Sequence, residues 1–325
     1  MTRDLLAQRI HRFIGDSLVG RAEPLEPLML EVHRWQRRHD PVLNSLTAED
    51  PQEIAQIPAI PVGIWKDLPV GTVGADEPSL VFHTSGTTGG GRGAHRLRTS
   101  ALYDHNALTW ARVCLKQWPT LIVALLDDAP DSSLGHMTRL FGDVSWYAKG
   151  GVVDVAGART HLAVDWPLFV ATTAFALAEY LESAPPPLPA GSLLMVTGGF
   201  KGRVHRLDGD ELLAATRAVL KPDRLVTEYG MTELSSQLWG TAGAAFLPAP
   251  WLVAVAADPL SGRPLPRGER GQLRFYDLCN LDSTLGVETM DEGTVTDEGV
   301  WLHGRLPGAP ARGCSLTVEE AWEKR

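Results

Sequence analysis

The chain has 325 residues, of which 44% are hydrophobic and 21% charged, and its formal net charge at pH 7 is −9. This composition predicts a soluble globular protein with one large or two ordinary domains. The negative charge and the lack of a basic cluster argue against a general nucleic-acid binder. No apolar run approaches the ~20 residues of a membrane span, so we expect partners other than nucleic acid and no membrane span.

The cysteine content favours a reducing compartment. The three cysteines, Cys114, Cys279 and Cys314, are widely spaced and form neither a disulfide framework nor a zinc motif. Residues 1–16 carry charges throughout and lack the apolar core of a signal peptide. We therefore expect a cytoplasmic location.

In chain order, the sequence predicts four regions. Residues 1–50 are predicted as amphipathic helices separated by prolines. Residues 51–244 alternate strands with helices, which indicates an α/β core that binds ligands beyond the carboxyl ends of its strands. Residues 245–305 contain short strands between Gly/Pro turns and predict a β-rich subdomain. Residues 306–325 are a C-terminal tail that carries Cys314.

Within these regions, apolar runs predict strands and periodic segments predict helices. The core strands are predicted at Ser79–Phe82, Leu121–Leu126, Val152–Val155, Leu193–Val196 and Arg224–Thr227. The core helices are predicted at Thr99–Trp118, Pro167–Leu181 and Asp210–Leu220. The subdomain strands are predicted at Trp251–Val255, Gly271–Tyr276 and Val300–Leu302.

A glycine-rich loop follows the first core strand. Between Thr84 and Gly93 there are five glycines and four hydroxyl residues. Glycine allows close approach of the backbone to a ligand, and consecutive backbone N–H groups with hydroxyls can bind an anion. The loop is therefore interpreted as a phosphate cradle, although it lacks the Gly-Lys-Ser/Thr of a Walker loop. The alternative is a flexible surface turn.

A second polar segment, Glu228–Glu233, follows the last core strand. Thr232 offers a hydroxyl to a phosphate, and Glu233 offers a carboxylate suited to Mg²⁺. The alternative is an ordinary strand-to-helix turn in which Thr232 or Glu233 caps a helix.

Several segments together resemble the adenylate-forming superfamily, which includes acyl-CoA ligases, luciferases and peptide-synthetase adenylation domains. The segments are Thr84–Gly89, Glu228–Glu233, Gly268–Leu273, Thr289–Asp291 and Gly304–Arg305. The resemblance implies an α/β fold: a large N-terminal domain of mixed and parallel sheets with flanking helices, plus a small β-rich subdomain. Departures from the family pattern are Arg92 in place of a lysine and Met290 in place of a glycine.

The resemblance also implies roles for individual residues. Asp291 would accept hydrogen bonds from ribose, Arg305 would assist at the ribose or phosphate, and Gly198–Gly199 would pack against adenine. The full set of implied ATP-binding residues is Thr84, Ser85, Gly86, Thr87, Thr88, Gly89, Gly198, Gly199, Glu228, Tyr229, Gly230, Thr232, Asp291 and Arg305. Glu233 would bind Mg²⁺, and Arg92 and Thr232 would act on the phosphates during catalysis.

Only 20 residues follow Arg305, so we expect the mobile C-terminal domain of the superfamily to be absent. That domain carries a catalytic lysine. Lys66 and Lys201 both lie in segments that match the family, and either could replace it. The alternative for each is a solvated lysine without a catalytic role.

The tail, Arg305–Leu316, resembles the end of acyl-protein synthetases of the bacterial bioluminescence fatty-acid reductase complex. The likeness covers roughly residues 50–325 and implies activation of a fatty or aryl acid as acyl-AMP, with release of pyrophosphate. The acyl group would then form a thioester on Cys314, whose thiolate Arg312 could favour. The implied partner is an acyl reductase or a carrier protein.

Three alternatives stay open. Cys314 could be an inert cysteine, with CoA or a carrier thiol as the acyl acceptor. The chain could be an acyl- or aryl-CoA ligase, or a carrier-protein ligase, that takes its catalytic lysine from a separate C-terminal domain. It could also be a non-catalytic scaffold that binds nucleotide.

Overall fold

The computed structural model describes residues 1–47, 49–74, 76–77, 80–84, 92–198 and 209–307. The helices are α1 (Arg3–Ser17), α2 (Leu25–His39), α3 (Pro41–Leu46), α4 (Ala101–Leu115), α5 (Ser133–Phe141), α6 (Val155–Leu162), α7 (Ala174–Glu182) and α8 (Gly209–Val219). Two short 3-10 helices lie at Ile54–Gln56 and Ile64–Lys66.

The strands form three sheets. In chain order they are β1 (Ala59–Pro61), β2 (Leu80–His83), β3 (Ala94–Leu97), β4 (Leu121–Asp127), β5 (Asp143–Lys149), β6 (Val152–Val153), β7 (Phe169–Thr173), β8 (Leu193–Thr197), β9 (Arg224–Tyr229), β10 (Leu238–Thr241), β11 (Leu252–Ala257), β12 (Arg270–Asp277), β13 (Gly286–Thr296) and β14 (Gly299–Arg305). The strand orders are β10-β9-β8-β7-β4-β5-β6, β1-β13-β12-β11 with β14 on β13, and the hairpin β2-β3.

The seven-stranded sheet is parallel from β9 to β5 and antiparallel at its two edges. Strands β7 and β8 are buried along their whole length, as expected for parallel strands covered on both faces. Successive residues of β4 face opposite sides: Val123 packs in the same core cluster as Leu177 and Leu212, and Ile122 in the same cluster as Met137. Helices α6–α8 therefore cover one face and α4–α5 the other.

The second sheet is built around β13, which alternates buried and half-buried residues over 11 positions. The N-terminal helices pack against this sheet, because Leu6 and Val32 share a core cluster with Phe275 and Val287. Residues 1–50 and 245–305 thus share one core, and the domain boundaries at residues 50 and 244 stay predictions.

The α/β fold predicted from the sequence is confirmed, with the other predicted core strands and the helix at 210–220 close to their observed positions. The strand predicted at Val152–Val155 is only partly correct, because β6 ends at Val153 and α6 begins at Val155. The helix predicted at Pro167–Leu181 is wrong in its first part. Phe169–Thr173 is strand β7, because this apolar run is buried between β4 and β8. Thr173 then caps α7 by accepting a hydrogen bond from the N–H of Ala176. Strands β5 and β13 were not predicted, because polar and glycine residues interrupt the alternation of apolar and polar positions that is typical of a strand.

Candidate active site

The hairpin β2–β3 brackets the glycine-rich loop. The N–H of Thr84 donates to the carbonyl of Gly93 at 2.9 Å, and the N–H of Gly93 donates to Oγ1 of Thr84 at 2.9 Å. A side-chain carbon at Gly93 would lie 3.1 Å from Thr84 and 3.2 Å from Trp65, so these neighbours would have to shift to make room for it. The loop is therefore anchored at its base. The predicted phosphate-binding residues Ser85, Gly86, Thr87, Thr88 and Gly89 lie outside the described residues.

Arg92 lies at the base of the same hairpin. Its Nε donates to the carbonyl of Thr84 at 2.8 Å, and its Nη1 donates to Oδ2 of Asp131 at 2.6 Å. The guanidinium is 43% exposed. Arg92 therefore holds a positive charge at the point where the loop begins, partly open to a ligand.

Strands β9, β13 and β14 bring a tyrosine, an aspartate and an arginine together. The hydroxyl of Tyr229 donates to Oδ2 of Asp291 at 2.7 Å. Asp291 pairs with Arg305 across β13 and β14, and Nε of Arg305 lies 3.6 Å from Oδ1 of Asp291. Burial and the negative charge of Asp291 raise the pKa of Tyr229 well above its ordinary value, so the phenol stays a donor. We call these three residues the nucleotide wall, after the ATP-binding role that the sequence predicts for them.

The nucleotide wall adjoins a cavity of about 510 Å³. The cavity is lined by Gly198 at the end of β8, by Glu228 and Tyr229 at the end of β9, and by Gly304 on β14. Gly198 has a φ of +90° and open space where a side chain would stand. The carboxyl ends of two parallel strands and the β-rich sheet therefore meet at one cavity, which is where α/β folds bind ligands.

Thr232 and Glu233 connect this cavity to the hairpin. The carbonyl of Thr232 lies 2.5 Å from Nδ1 of His95 on β3, and the hydroxyl of Thr232 donates to the carbonyl of His83 at 3.5 Å. The segment continues into β10 rather than into a helix, so the alternative of a helix cap is excluded. Thr232 is thus held beside the strand that leads into the glycine-rich loop.

Glu233 is 6% exposed and suits Mg²⁺ carried by a nucleotide. The described residues contain no group of three or more His, Cys, Asp or Glu that could hold a metal ion. Mg²⁺ usually takes one or two carboxylates plus substrate phosphates rather than a dedicated protein cage. A single carboxylate next to Thr232, which contacts the hairpin, is compatible with that pattern.

Sequence reasoning missed the residues that hold the segment 233–237 in place. Oδ1 of Asn280 accepts from the N–H of Ser235 at 2.9 Å, and its Nδ2 donates to the carbonyl of Glu233 at 2.9 Å. Asp277 accepts from the N–H of Ser236 at 2.7 Å, and burial raises the pKa of Asp277 to about 6. The signal available in the sequence was the run of polar residues among apolar ones from 277 to 284.

Of the two candidate lysines, Lys66 lies in the short 3-10 helix beside the hairpin, where the ring of Trp65 is 5.5 Å from that of His95. No hydrogen bond or ion pair joins the Lys66 ammonium to another of the residues the structure describes. Lys201, Gly199 and Cys314 lie outside that part of the chain. Thus the lysine and thioester hypotheses stay predictions.

The other two cysteines are buried or half-buried. Burial raises the pKa of Cys114 to about 12 and that of Cys279 well above its ordinary value, which disfavours the nucleophilic thiolate at both positions. Across the described ranges, none of the helices is both long and apolar enough to cross a membrane.

This arrangement defines the class of protein: the chain has the fold of the adenylate-forming acyl-CoA ligases. It matches ATP-bound MatB from Rhodopseudomonas palustris with a TM-score of 0.53 and 17% identity, covering 71% of this chain and 49% of that one. It matches an open 2-hydroxyisobutyryl-CoA ligase, solved with 2-HIB-AMP and CoA, with a TM-score of 0.65 and 15% identity, covering 87% and 70%. The chain thus spans about half the length of the MatB structure.

In sequence, the particular relatives are long-chain-fatty-acid–luciferin-component ligases. The protein from Vibrio harveyi is 27% identical over 142 residues, which is 40% of this chain and 38% of that protein. The protein from Aliivibrio fischeri is 20% identical over 317 residues, which is 87% of this chain and 83% of that protein. No family model matches the chain. These findings confirm the resemblance predicted from the motifs.

Proposed function

We propose that this protein uses ATP to activate a carboxylic acid as an acyl-adenylate, with release of pyrophosphate, and then transfers the acyl group to a thiol. The observation that carries the proposal is a cavity lined by Gly198 and Tyr229, where the hydroxyl of Tyr229 donates to Asp291 and Asp291 in turn lies beside Arg305. Asp291 is buried and charged, so it suits the ribose hydroxyls, and the open space at Gly198 suits a flat base.

In the first step a carboxylate oxygen of the substrate attacks the α-phosphorus of ATP. A bond between that oxygen and phosphorus forms, the bond from the α-phosphorus to the bridging oxygen breaks, and pyrophosphate leaves. Such a transfer needs positioned cations and donors rather than covalent help. Arg92 at the base of the loop, Thr232 and Glu233 with Mg²⁺ are the described residues that would supply them.

In the second step a thiolate attacks the acyl carbon and AMP leaves with the electrons of the broken carbon–oxygen bond, which yields a thioester. We propose Cys314 as the first acceptor and an acyl reductase or a carrier protein as the next. The names of the luciferin-component ligases support a protein acceptor. A CoA ligase is the second candidate, and the fold shared with a CoA-bound ligase favours it.

Acid-dependent exchange of labelled pyrophosphate into ATP tests the first step. A mixed panel of fatty, aryl and short substituted acids, tested one by one, should contain at least one acid that supports exchange. ATP binding without exchange for any acid would contradict the proposal and favour a nucleotide-binding scaffold.

Intact-mass spectrometry after incubation with ATP, Mg²⁺ and the active acid tests the second step. We expect a hydroxylamine-sensitive acyl adduct on the wild type and on Ser315→Ala, the neighbouring control, but none on Cys314→Ala. Exchange without any adduct would move the acceptor to CoA or a carrier thiol.

A further inference from the structure

Glu228 is a buried carboxyl group that the family resemblance places among the ATP-binding residues, but the two steps proposed above assign no chemical role to it. Its side chain lies at the end of β9 and is 4% exposed. Its Oε2 accepts a hydrogen bond from the hydroxyl of Thr197 on β8. Burial raises the pKa of Glu228 to about 7. A buried carboxylate is costly unless partners satisfy its oxygens, so its place at this site requires a physical reason.

The second carboxylate oxygen is directed towards Gly230. A side-chain carbon at Gly230 would lie 2.5 Å from Oε1 of Glu228. Because such a contact is too short, Oε1 of Glu228 can occupy this position only next to a residue without a side chain. Gly230 lines a small cavity of about 20 Å³ and is not part of the lining of the 510 Å³ nucleotide cavity, whereas Glu228 lines both. Oε1 therefore faces the small cavity.

Gln237, which is 4% exposed, lines the small cavity as well. Its Nε2 donates to the carbonyl of Ser235 at 3.1 Å and to the hydroxyl of Tyr103 at 3.2 Å. A carbonyl can only accept, so this contact fixes which end of the amide is nitrogen. The other end, Oε1, is buried and has no hydrogen-bond partner among the described residues. Leu134, Met137 and Met231 supply apolar lining.

Two buried acceptors therefore line a space of about 20 Å³, enough for one polar heavy atom. A buried acceptor left without a hydrogen bond destabilises the folded state. An alkyl group in this cavity would leave both acceptors unpaired, whereas a hydroxyl or amino group would donate to them. The adenine amino group is a less suitable donor, because Gln237 and Gly230 do not line the nucleotide cavity.

We propose that the small cavity recognises a hydroxyl or amino group carried by the acid substrate close to its carboxyl, with Glu228 and Gln237 as the acceptors. The group must be close to the carboxyl because Glu228 also lines the cavity in which the adenylate would form. This inference rests on the proposed function and assigns it a substrate class: hydroxy or amino acids, whatever the length of the remaining chain.

The test is acid-dependent pyrophosphate exchange with matched acids. Butanoate, 2- and 3-hydroxybutanoate and 2- and 3-aminobutanoate are compared with octanoate and 3-hydroxyoctanoate. In the wild type, kcat/KM for the best hydroxy or amino acid should exceed that of its unsubstituted analogue by about tenfold or more, because a site built to pair with a donor rejects the analogue that lacks it. Comparison of kcat/KM for the hydroxy acids with kcat/KM for the amino acids at pH 8 shows which of the two groups the cavity prefers as donor.

Glu228→Leu removes the acceptor while keeping a buried side chain of similar size. We expect the preference to fall to about threefold or less in Glu228→Leu and to be reduced in part in Gln237→Leu. Glu269→Gln, on an exposed turn, is the control, and thermal melting of each variant checks that it is folded. Glu228→Gln, which keeps one acceptor oxygen, should retain more of the hydroxyl preference than Glu228→Leu.

An unsubstituted acid that equals its hydroxy and amino analogues in the wild type would overturn the inference and leave the proposed function intact. So would an unchanged preference in folded Glu228→Leu, or a raised KM for ATP with no change of preference. Failure of all acids to support exchange, despite ATP binding, would instead overturn the proposed function and this inference with it.

Discussion

The two walls of the candidate site differ in how their polar groups are satisfied. In the nucleotide wall, Tyr229, Asp291 and Arg305 already contact one another. Beside the small cavity, Oε1 of Gln237 has no partner among the described residues, and Oε1 of Glu228 faces the same space. Side chains whose hydrogen bonds are already formed can bind the same nucleotide in every turnover with little rearrangement. Acceptors without a partner need a hydrogen-bond donor from the substrate. Discrimination among substrates is therefore expected at the incomplete wall.

The largest effect is expected at the residue that holds the segment between Tyr229 and Gln237. Asn280 is fully buried and makes side-chain hydrogen bonds to Ser235, Glu233 and Thr284. Asn280→Ala leaves these backbone groups unsatisfied and should lower the free energy of unfolding by roughly 3 kcal/mol, measured by urea denaturation. Asn44→Ala, which loses one long contact with Arg37 at 3.4 Å on the surface, is the matched control. Equal losses in the two variants would show that Asn280 does not hold the segment.

A substitution confined to the nucleotide wall should lower kcat/KM for ATP selectively. Asp291→Asn removes a buried charge that faces Tyr229 and Arg305. Hydrogen bonds to charged groups contribute about 1.5–3 kcal/mol, so we expect kcat/KM for ATP to fall about 100-fold, measured by pyrophosphate exchange at saturating acid.

Glu292→Gln is the control for this variant. Glu292 is the next residue of β13 and pairs with the exposed Arg270, so its replacement should change kcat/KM for ATP by less than about twofold. An Asp291→Asn enzyme within twofold of the wild type would show that the nucleotide does not use this wall.

A smaller loss is expected at the base of the phosphate hairpin. Arg92→Ala removes a partly exposed charge and its contacts with Thr84 and Asp131, so kcat should fall about tenfold, the range seen when one charged donor to a phosphate is lost. Arg92→Lys should recover part of the rate. Arg98→Ala, whose guanidinium pairs with Glu77 at the surface, should be near wild type. A rate for Arg92→Ala equal to that of Arg98→Ala would remove Arg92 from the site.

A separate effect, seen only below neutral pH, is a pH dependence of stability. Burial lowers the pKa of His95 to about 4, and burial likewise lowers the pKa of His33 to about 4. An unfolded histidine binds a proton below about pH 6.5, so the unfolded state binds more protons between about pH 6.5 and 4. Stability should therefore be lost progressively as pH falls through that window and change no further through these groups below it.

Replacement of one histidine tests whether the buried histidines cause this loss of stability at low pH. His95→Asn keeps a donor for the carbonyl of Thr232 but cannot titrate, so the slope of unfolding free energy against pH should decrease. The exposed His303 offers a control in His303→Asn. An unchanged slope in His95→Asn would assign the acid sensitivity to other groups.

The difference between the walls also explains what the sequence could predict. Tyr229, Asp291, Gly198 and Arg305 lie in short motifs, so the resemblance of those motifs to the adenylate-forming superfamily nominated them. The small cavity depends on contacts between residues that are far apart in sequence. Gln237 donates a hydrogen bond to Tyr103, 134 positions away, and no local sequence pattern predicts such a contact. The same limit applies to Phe169–Thr173, whose apolar run suits a helix as well as strand β7 until its neighbours in the sheet are known.

The most direct measurement is detection of the acyl-adenylate itself. Stoichiometric protein is mixed with ATP, Mg²⁺ and each acid in turn, quenched with acid and analysed by mass spectrometry, with Asp291→Asn in parallel. The account predicts a protein-dependent acyl-AMP and an equal amount of pyrophosphate with at least one acid, both strongly reduced in the variant. Hydrolysis of ATP to ADP, or ATP binding with no acyl-AMP from any acid, would contradict it.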